Sequence, residues 1–172
     1  MGLYSPTGAY NIADVRGCGV TASASFTPAA AAYSALDIMS TAKEFAFTFA
    51  DGTAVPSGSL IRIQTTVLRI DQTALQASEA AYTLPLYSVT PPSAQADNAA
   101  WTLASADLSS YRGKLSLGTP VDEGAASFIK TQLSDQQDFK LTGTSLFGEL
   151  ITVAGFTATA VARQVTLYGF VV

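Results

Sequence analysis

Between residues 43 and 49 the phenylalanines Phe45, Phe47 and Phe49 alternate with Glu44, Ala46 and Thr48. Successive side chains of a β-strand point to opposite faces, so this spacing predicts a strand with one buried side. Asp51-Gly52 ends it as a turn pair, and Pro56, Ser57, Gly58 and Ser59 lead into a second run over residues 60–70. That run is apolar on both parities: Ile61, Ile63 and Val67 point one way, and Leu60, Leu68 and Ile70 the other. Two arrangements give such a pattern. Either the strand is covered on both faces, or a bulge near Thr65-Thr66 switches the parity that meets the core. Further strands are predicted over residues 20–26, 82–89, 113–121, 127–129, 139–141, 146–153 and 165–172. Pro85 has no backbone N–H, so its strand is expected at a sheet edge or with a bulge. One short helix is predicted over residues 106–111, capped by Ser105, with Asp107 in its first turn and Gly113 as its stop. Many short strands punctuated by Gly and Pro predict an all-β fold, a two-sheet β-sandwich or a barrel.

No internal repeat, heptad or compositional boundary splits the chain, and its 172 residues suit one domain. The expected division is an N-terminal arm over residues 1–14 and a single β-sandwich domain over residues 15–172. The arm is poor in bulky apolar residues apart from Leu3, Tyr4, Tyr10 and Ile12. An arm ordered only by a neighbour and an ordinary fraying terminus both fit that composition.

Hydrophobic residues make up 48% of the chain and charged ones 13%, where a soluble domain has roughly 25% charged residues. A surface kept soluble by Ser, Thr, Gln and Ala accounts for this, and so does a surface that largely faces other subunits. The formal net charge is -4 and the nine basic residues are scattered singly. They form no stripe along which a phosphate backbone would lie, so nucleic acid is not an expected partner. Every long apolar stretch is interrupted well short of the roughly 20 residues that span a bilayer, and residues 1–4 carry no basic segment of a secretion signal. The expectation is a soluble chain made in the cytoplasm, with no membrane partner.

The chain contains no histidine and a single cysteine, Cys18. Ser-His-Asp and Cys-His chemistry needs an imidazole, and zinc and blue-copper sites draw most of their ligands from His and Cys. No cofactor, metal or catalytic residue is therefore expected, and Cys18 is expected to be a small apolar side chain in the core. Gly17-Cys18-Gly19 begins like a dinucleotide fingerprint but lacks the third glycine and the helix. The segment over residues 143–148 has neither the spacing of a nucleophile elbow nor a base, and reads as a turn entering a strand. Asp122 with Glu123 and Asp135 with Asp138 are the closest carboxylate pairs in sequence, and solvated loop charges are the expectation for both. Asp97-Asn98 followed by Trp101 carries more weight. The short polar side chains suit a turn that sets Trp101 as a plug over the core or as a ligand platform.

The order of several segments resembles a virion structural protein family of tailed bacteriophages that includes capsid decoration, or cement, proteins. The segments are Tyr33-Ser34-Ala35-Leu36-Asp37, the stretch over residues 84–92 (LPLYSVTPP), Ala96-Asp97-Asn98-Ala99-Ala100-Trp101 with Ser105-Ala106-Asp107-Leu108, residues 145–152 (SLFGELIT), and Val165-Thr166-Leu167. The resemblance runs from about Tyr33 to the C-terminus. Family members often have a glycine-rich aliphatic segment after the Tyr-Ser-Ala-x-Asp loop, where this chain has Ile38-Met39-Ser40-Thr41.

The resemblance implies a two-sheet β-sandwich of jelly-roll type with one short helix, attached by repetition to a viral shell. The resulting expectation is a non-enzymatic decoration protein on the outer face of the assembled head. It would bind the major capsid protein, as a homotrimer at local threefold positions. The contact candidates are Leu3, Tyr4 and Tyr10 of the arm and Tyr33, Leu36, Ile38 and Met39 of the following loop, whose apolar groups have no obvious strand to occupy. The alternatives are a carbohydrate-binding or host-adsorption module, for which Trp101 with Asp97 and Asn98 is the nearest approach to a site, and a tail or baseplate component.

Overall fold

The computed structural model describes residues 19–172, apart from the side chains of Asp135 and Gln136. Cys18 and the contact candidates Leu3, Tyr4 and Tyr10 lie outside the described residues. In chain order the strands are β1 (Gly19–Phe26), β2 (Ala32–Tyr33), β3 (Lys43–Ala46), β4 (Thr48–Phe49), β5 (Leu60–Ile70), β6 (Tyr82–Tyr87), β7 (Tyr111–Gly118), β8 (Val121–Asp122), β9 (Ser127–Lys140), β10 (Ser145–Gly148), β11 (Ile151–Thr152), β12 (Phe156–Thr157) and β13 (Arg163–Val171). A single turn of 3-10 helix at Ser105–Asp107 precedes β7.

Strand β1 alternates without a break: Val20, Ala22, Ala24 and Phe26 face inward, and Thr21, Ser23 and Ser25 face out. It pairs along its whole length with β13, the last strand, and the larger sheet runs β4-β1-β13-β5-β9-β8. The second sheet runs β3, then β10 and β11 in line, then β6, then β7. All these pairings are antiparallel. Taking the eight principal strands as B to I in chain order, the sheets read B-I-D-G and C-H-E-F, the strand order of a jelly roll. The sandwich is closed on one side by residues 43–49, whose first half (β3) pairs in one sheet and second half (β4) in the other. Between the sheets lies one apolar core, with Phe26 and Phe45 fully buried and their ring centroids 6.1 Å apart.

The double parity of residues 60–70 comes from a bulge. Pairing with both β13 and β9 shifts register between Ile63 and Thr65: Gln64 is the extra residue against β13, while on the β9 side residues 133–136 lie opposite it. Ile61 and Ile63 face the core before it, and Thr66, Leu68 and Ile70 after it. On the other side of the bulge β13 passes so close that a Cβ on Gly169 would lie 2.1 Å from the Arg62 carbonyl oxygen. The partner strand β9 is continuous over Ser127–Lys140, where the sequence predicts two short strands, because its irregularity lies inside the pairing with β5 and does not end it.

Of the two arrangements expected for Pro85, the structure has the bulged one. Strand β6 lies inside its sheet, not at the edge, and Pro85 is accommodated by register shifts against β7 on either side of it and by a gap on its other side. There the Glu149 N–H donates to the Pro85 carbonyl at 3.2 Å, but proline returns no bond, and the gap between β10 and β11 falls at this position. The predicted helix over residues 106–111 shrinks to one turn without a side-chain cap. Asp107 turns inward, accepts from the Ser93 N–H at 2.9 Å and the Ser93 hydroxyl at 2.6 Å, and so fixes a neighbouring turn while β7 begins at Tyr111.

The connections at one end of the sandwich are tied by a fully buried ion pair, Arg163 with Glu79, at 3.0 Å. Arg163 also donates to the carbonyls of Thr159 (3.0 Å) and Val161 (2.6 Å). Glu79 accepts in addition from the Tyr82 hydroxyl, from the Gln76 N–H at 2.9 Å and from the Gln72 amide at 3.0 Å. Burial by itself raises the Glu79 carboxyl. The Tyr82 and Gln76 hydrogen bonds and the Arg163 charge outweigh it and hold the group below the usual carboxylate range.

Candidate interaction surface

The loop that follows β2 is held on both flanks by backbone hydrogen bonds. On one side the Leu36 N–H donates to Thr152 O at 2.8 Å, the Thr152 N–H to Asp37 O at 3.1 Å and the Met39 N–H to Leu150 O at 2.7 Å. On the other the Asn98 N–H donates to Ile38 O at 2.8 Å, the Ile38 N–H to Ala99 O at 2.9 Å and the Trp101 N–H to Leu36 O at 2.9 Å. Residues 36–39 thus behave as a short extra strand between residues 150–152 and 98–101. This gives the apolar groups a place that their sequence does not reveal.

Of the loop's contact candidates, Tyr33, Ile38 and Met39 are buried within the protein itself. Tyr33 lies in β2, its ring stacked on Phe156 at 6.3 Å and its hydroxyl donating to Asp97 Oδ1 at 2.8 Å. Met39 belongs to the core. These three are therefore corrected from surface contacts to packing residues. Leu36 is different: it is 49% exposed, and its φ is +70°. A side chain in that left-handed region costs roughly 1–2 kcal/mol, which glycine would avoid. Among the described residues five non-glycine positions have positive φ, and three of them, Leu36, Ser40 and Asn98, meet here. Backbone strain of this kind persists where surrounding contacts over-determine it and concentrates at functional positions. Val153, which follows the Thr152 that anchors Leu36, is also exposed.

Asp97, Asn98 and Trp101 turn out to be the brace of this loop. Asp97 accepts from the Tyr33 hydroxyl, the Ser40 N–H at 2.6 Å and the Ala29 N–H at 2.9 Å. The Asn98 amide, oriented to donate, reaches Asp37 Oδ2 at 3.3 Å and Ala32 O at 3.1 Å. The Trp101 indole N–H donates to the Tyr87 hydroxyl at 3.1 Å, and the Lys114 ammonium sits 5.1 Å from the centre of the indole ring. These polar groups bind the protein's own backbone and side chains, as in the plug arrangement.

The other carboxylates have local uses. Asp122 accepts from the Gly124 N–H at 2.8 Å within its own turn, and Glu123 is exposed beside it. Asp138 accepts from Arg62 Nε at 2.5 Å and Nη2 at 2.7 Å, while the Asp135 side chain is outside the description. Gly19 opens strand β1, not a helix, and residues 143–148 form the predicted turn entering β10.

Sequence reasoning passed over Glu149. It is completely buried; Oε2 accepts from the Tyr87 hydroxyl at 3.1 Å, and among the described residues Oε1 has no hydrogen-bond partner. Burial raises its carboxyl above the usual range; the Tyr87 hydrogen bond opposes this most, the Asp107 charge adds to it, and the neighbouring Trp101 indole N–H, whose own hydrogen bond goes to the Tyr87 hydroxyl, opposes it least. The available signal was a lone carboxylate inside the apolar run over residues 146–151.

No protein-family model and no curated protein sequence matches the chain. Among solved structures it is similar to a Triatoma virus empty-capsid chain, at 13% identity over 95% of this chain and 92% of that one, with a TM-score of 0.29. It is also similar to an Israeli acute paralysis virus particle chain (9% identity, 99% and 80% covered, TM-score 0.31) and to a Kashmir bee virus virion chain (10% identity, 95% and 74% covered, TM-score 0.30). Likeness at this level carries no argument about what the chain does; the jelly-roll assignment stands on its own strand order.

Proposed function

We propose that this chain is a non-enzymatic structural component of a virion, a decoration protein that binds the outer face of the assembled head and clamps neighbouring copies of the major capsid protein, as a trimer at local threefold positions. The observation that carries this reading is Leu36, an exposed apolar side chain held in a costly backbone conformation by hydrogen bonds on both sides. The sequence resemblance to the phage family, the jelly-roll order and the low share of charged residues support it. A ligand that binds only the assembled lattice raises the free energy of disassembly, and many copies repeat that term. Contacts worth a few kcal/mol each then suffice.

The test separates folding from attachment. Leu36→Gly relieves the left-handed strain, so its stability should match the wild type or exceed it by up to about 1 kcal/mol. Its attachment to heads, measured by co-sedimentation, should weaken roughly tenfold or more, as for a central apolar contact. Equal co-sedimentation of variant and wild type would remove Leu36 from the contact. Deleting residues 1–14 should likewise leave a folded protein that no longer decorates heads. Full co-sedimentation of the truncated chain would show that Leu3, Tyr4 and Tyr10 take no part.

A further inference from the structure

Both flanks of the Leu36 loop converge on Glu149. One flank is the strand segment 149–152 itself, whose backbone bonds to Leu36, Asp37 and Met39. The other is the segment ending at Trp101, whose indole N–H binds the same Tyr87 hydroxyl that donates to Glu149. The side chain at this junction is a carboxyl group with no surface exposed and, among the described residues, one oxygen unpartnered. The Tyr87 and Trp101 donors favour an ionised form, but burial and the Asp107 charge outweigh them. From β6 it is faced by Tyr87, whose phenol burial pushes upward and whose ring lies 5.6 Å from that of Tyr111 on β7. From the 3-10 turn it is faced by the charge of Asp107. The nearby cations are engaged elsewhere: Lys114 lies over the Trp101 ring, and Arg112 donates to the Ser88 hydroxyl and to the Ser109 and Tyr111 carbonyls.

We propose that Glu149 is a proton-operated latch: uncharged, it holds the Leu36 loop to the sheet, and ionised, it releases it. A buried carboxylate with no counter-charge is strongly disfavoured, and the Tyr87 and Trp101 donors do not compensate its lost hydration, so the accessible relief is to exchange the Trp101 indole for water by moving the Trp101 segment away. That movement frees the Leu36 carbonyl and the Ile38 bonds on the same flank. The chain has no histidine, so the residue that ordinarily senses pH near neutrality is missing, and a buried carboxyl takes its place. The sign follows from the same chemistry. A carboxyl raised in the folded state contributes stability that is fully present below its unfolded pKa and is lost as pH rises through the folded value.

Trp101 is the only tryptophan, so its fluorescence reports the latch directly. In the full chain, emission should shift to the red as pH rises from 4 to 9, with a midpoint above the ordinary glutamate value of about 4.3. Glu149→Gln should abolish the shift. Tyr87→Phe, which removes a hydrogen bond that favours the charged form, should move the midpoint upward. Above the transition, the Leu36 and Trp101 amides of the wild type should exchange with deuterium at least tenfold faster than those of Glu149→Gln. A flat wild-type profile, a transition that survives in Glu149→Gln, or a midpoint that falls in Tyr87→Phe would overturn the latch. The consequence for attachment rests on Leu36 being a contact. If the fluorescence transition is found but co-sedimentation with heads does not follow it, the latch stands and that contact fails.

Discussion

Arg163→Met is expected to lower folding stability by about 3–5 kcal/mol, because it removes one partner of a buried ion pair and leaves the other charge without compensation. Both side chains are fully buried, and methionine preserves much of the apolar volume against Phe156, over whose ring the guanidinium sits at 5.8 Å. The loss should therefore reflect charge and hydrogen bonding more than a cavity. Arg163 also satisfies the carbonyls of Thr159 and Val161, so those acceptors are stranded as well. Urea denaturation at neutral pH checks the size of the effect. Adding Glu79→Gln to the variant should recover part of the loss, since a neutral amide no longer needs the guanidinium.

The pH dependence should differ between the two proteins. In the wild type the Glu79 carboxyl is held below its usual range, so its contribution is present above the unfolded pKa and is lost as pH falls through the folded value. In Arg163→Met the Tyr82 and Gln76 hydrogen bonds remain but the lowering by Arg163 is gone, so the downward shift and the acid loss it causes should both be smaller. Denaturation midpoints at pH 3 and 7 should accordingly show a larger acid loss in the wild type than in the variant. Parallel profiles would mean that Glu79 is not the linked group.

Gly169→Ala should cost about 2–3 kcal/mol, the upper part of the range for overpacking a filled site. The obstacle is backbone: the added Cβ would meet the Arg62 carbonyl oxygen at 2.1 Å and the Ile63 Cα at 3.1 Å, so no rotamer change relieves it. The two strands must separate at the bulge that sets the parity of β5, and Ile61 and Ile63 lie next to it in the core. Gly19→Ala on the adjoining strand is the control, because nothing lies within 4 Å of its Cβ; it should stay within about 0.5 kcal/mol of the wild type. Equal stability of the two variants would refute the close approach.

The strands were legible wherever one face alone is buried. Residues 20–26 announce themselves because a period of two survives any rearrangement of neighbours, whereas residues 60–70 read as a strand by their apolar, β-branched run and not by a single period. Their partners were not legible: β1 lies beside β13, almost the whole chain away, and no local pattern encodes such a pairing. The helix over residues 106–111 failed for a related reason. Its capping chemistry was present, but Asp107 found a better partner in Ser93, and Tyr111 was drawn into the pairing with β6.

The contact candidates divide along the same line. An apolar residue without a strand of its own reads as surface, and for Leu36 the structure agrees. Tyr33, Ile38 and Met39 read identically but are covered by segments far off in sequence: residues 97–101 on one side and 150–156 on the other. Glu149 is the converse case, a charged residue expected in water and enclosed by Tyr87, Trp101 and the gap that Pro85 opens.

By itself, then, the order of residues determined an all-β chain with alternating strands, a strand over residues 60–70 that is either doubly covered or bulged, and no imidazole chemistry, because periodicity and composition are local properties. Only tertiary structure decided which sheet each strand joins, which leucine remains in solvent and which carboxyl is shut away. Burial and hydrogen-bond satisfaction depend on what arrives from distant parts of the chain, and both are settled when the two sheets close on each other.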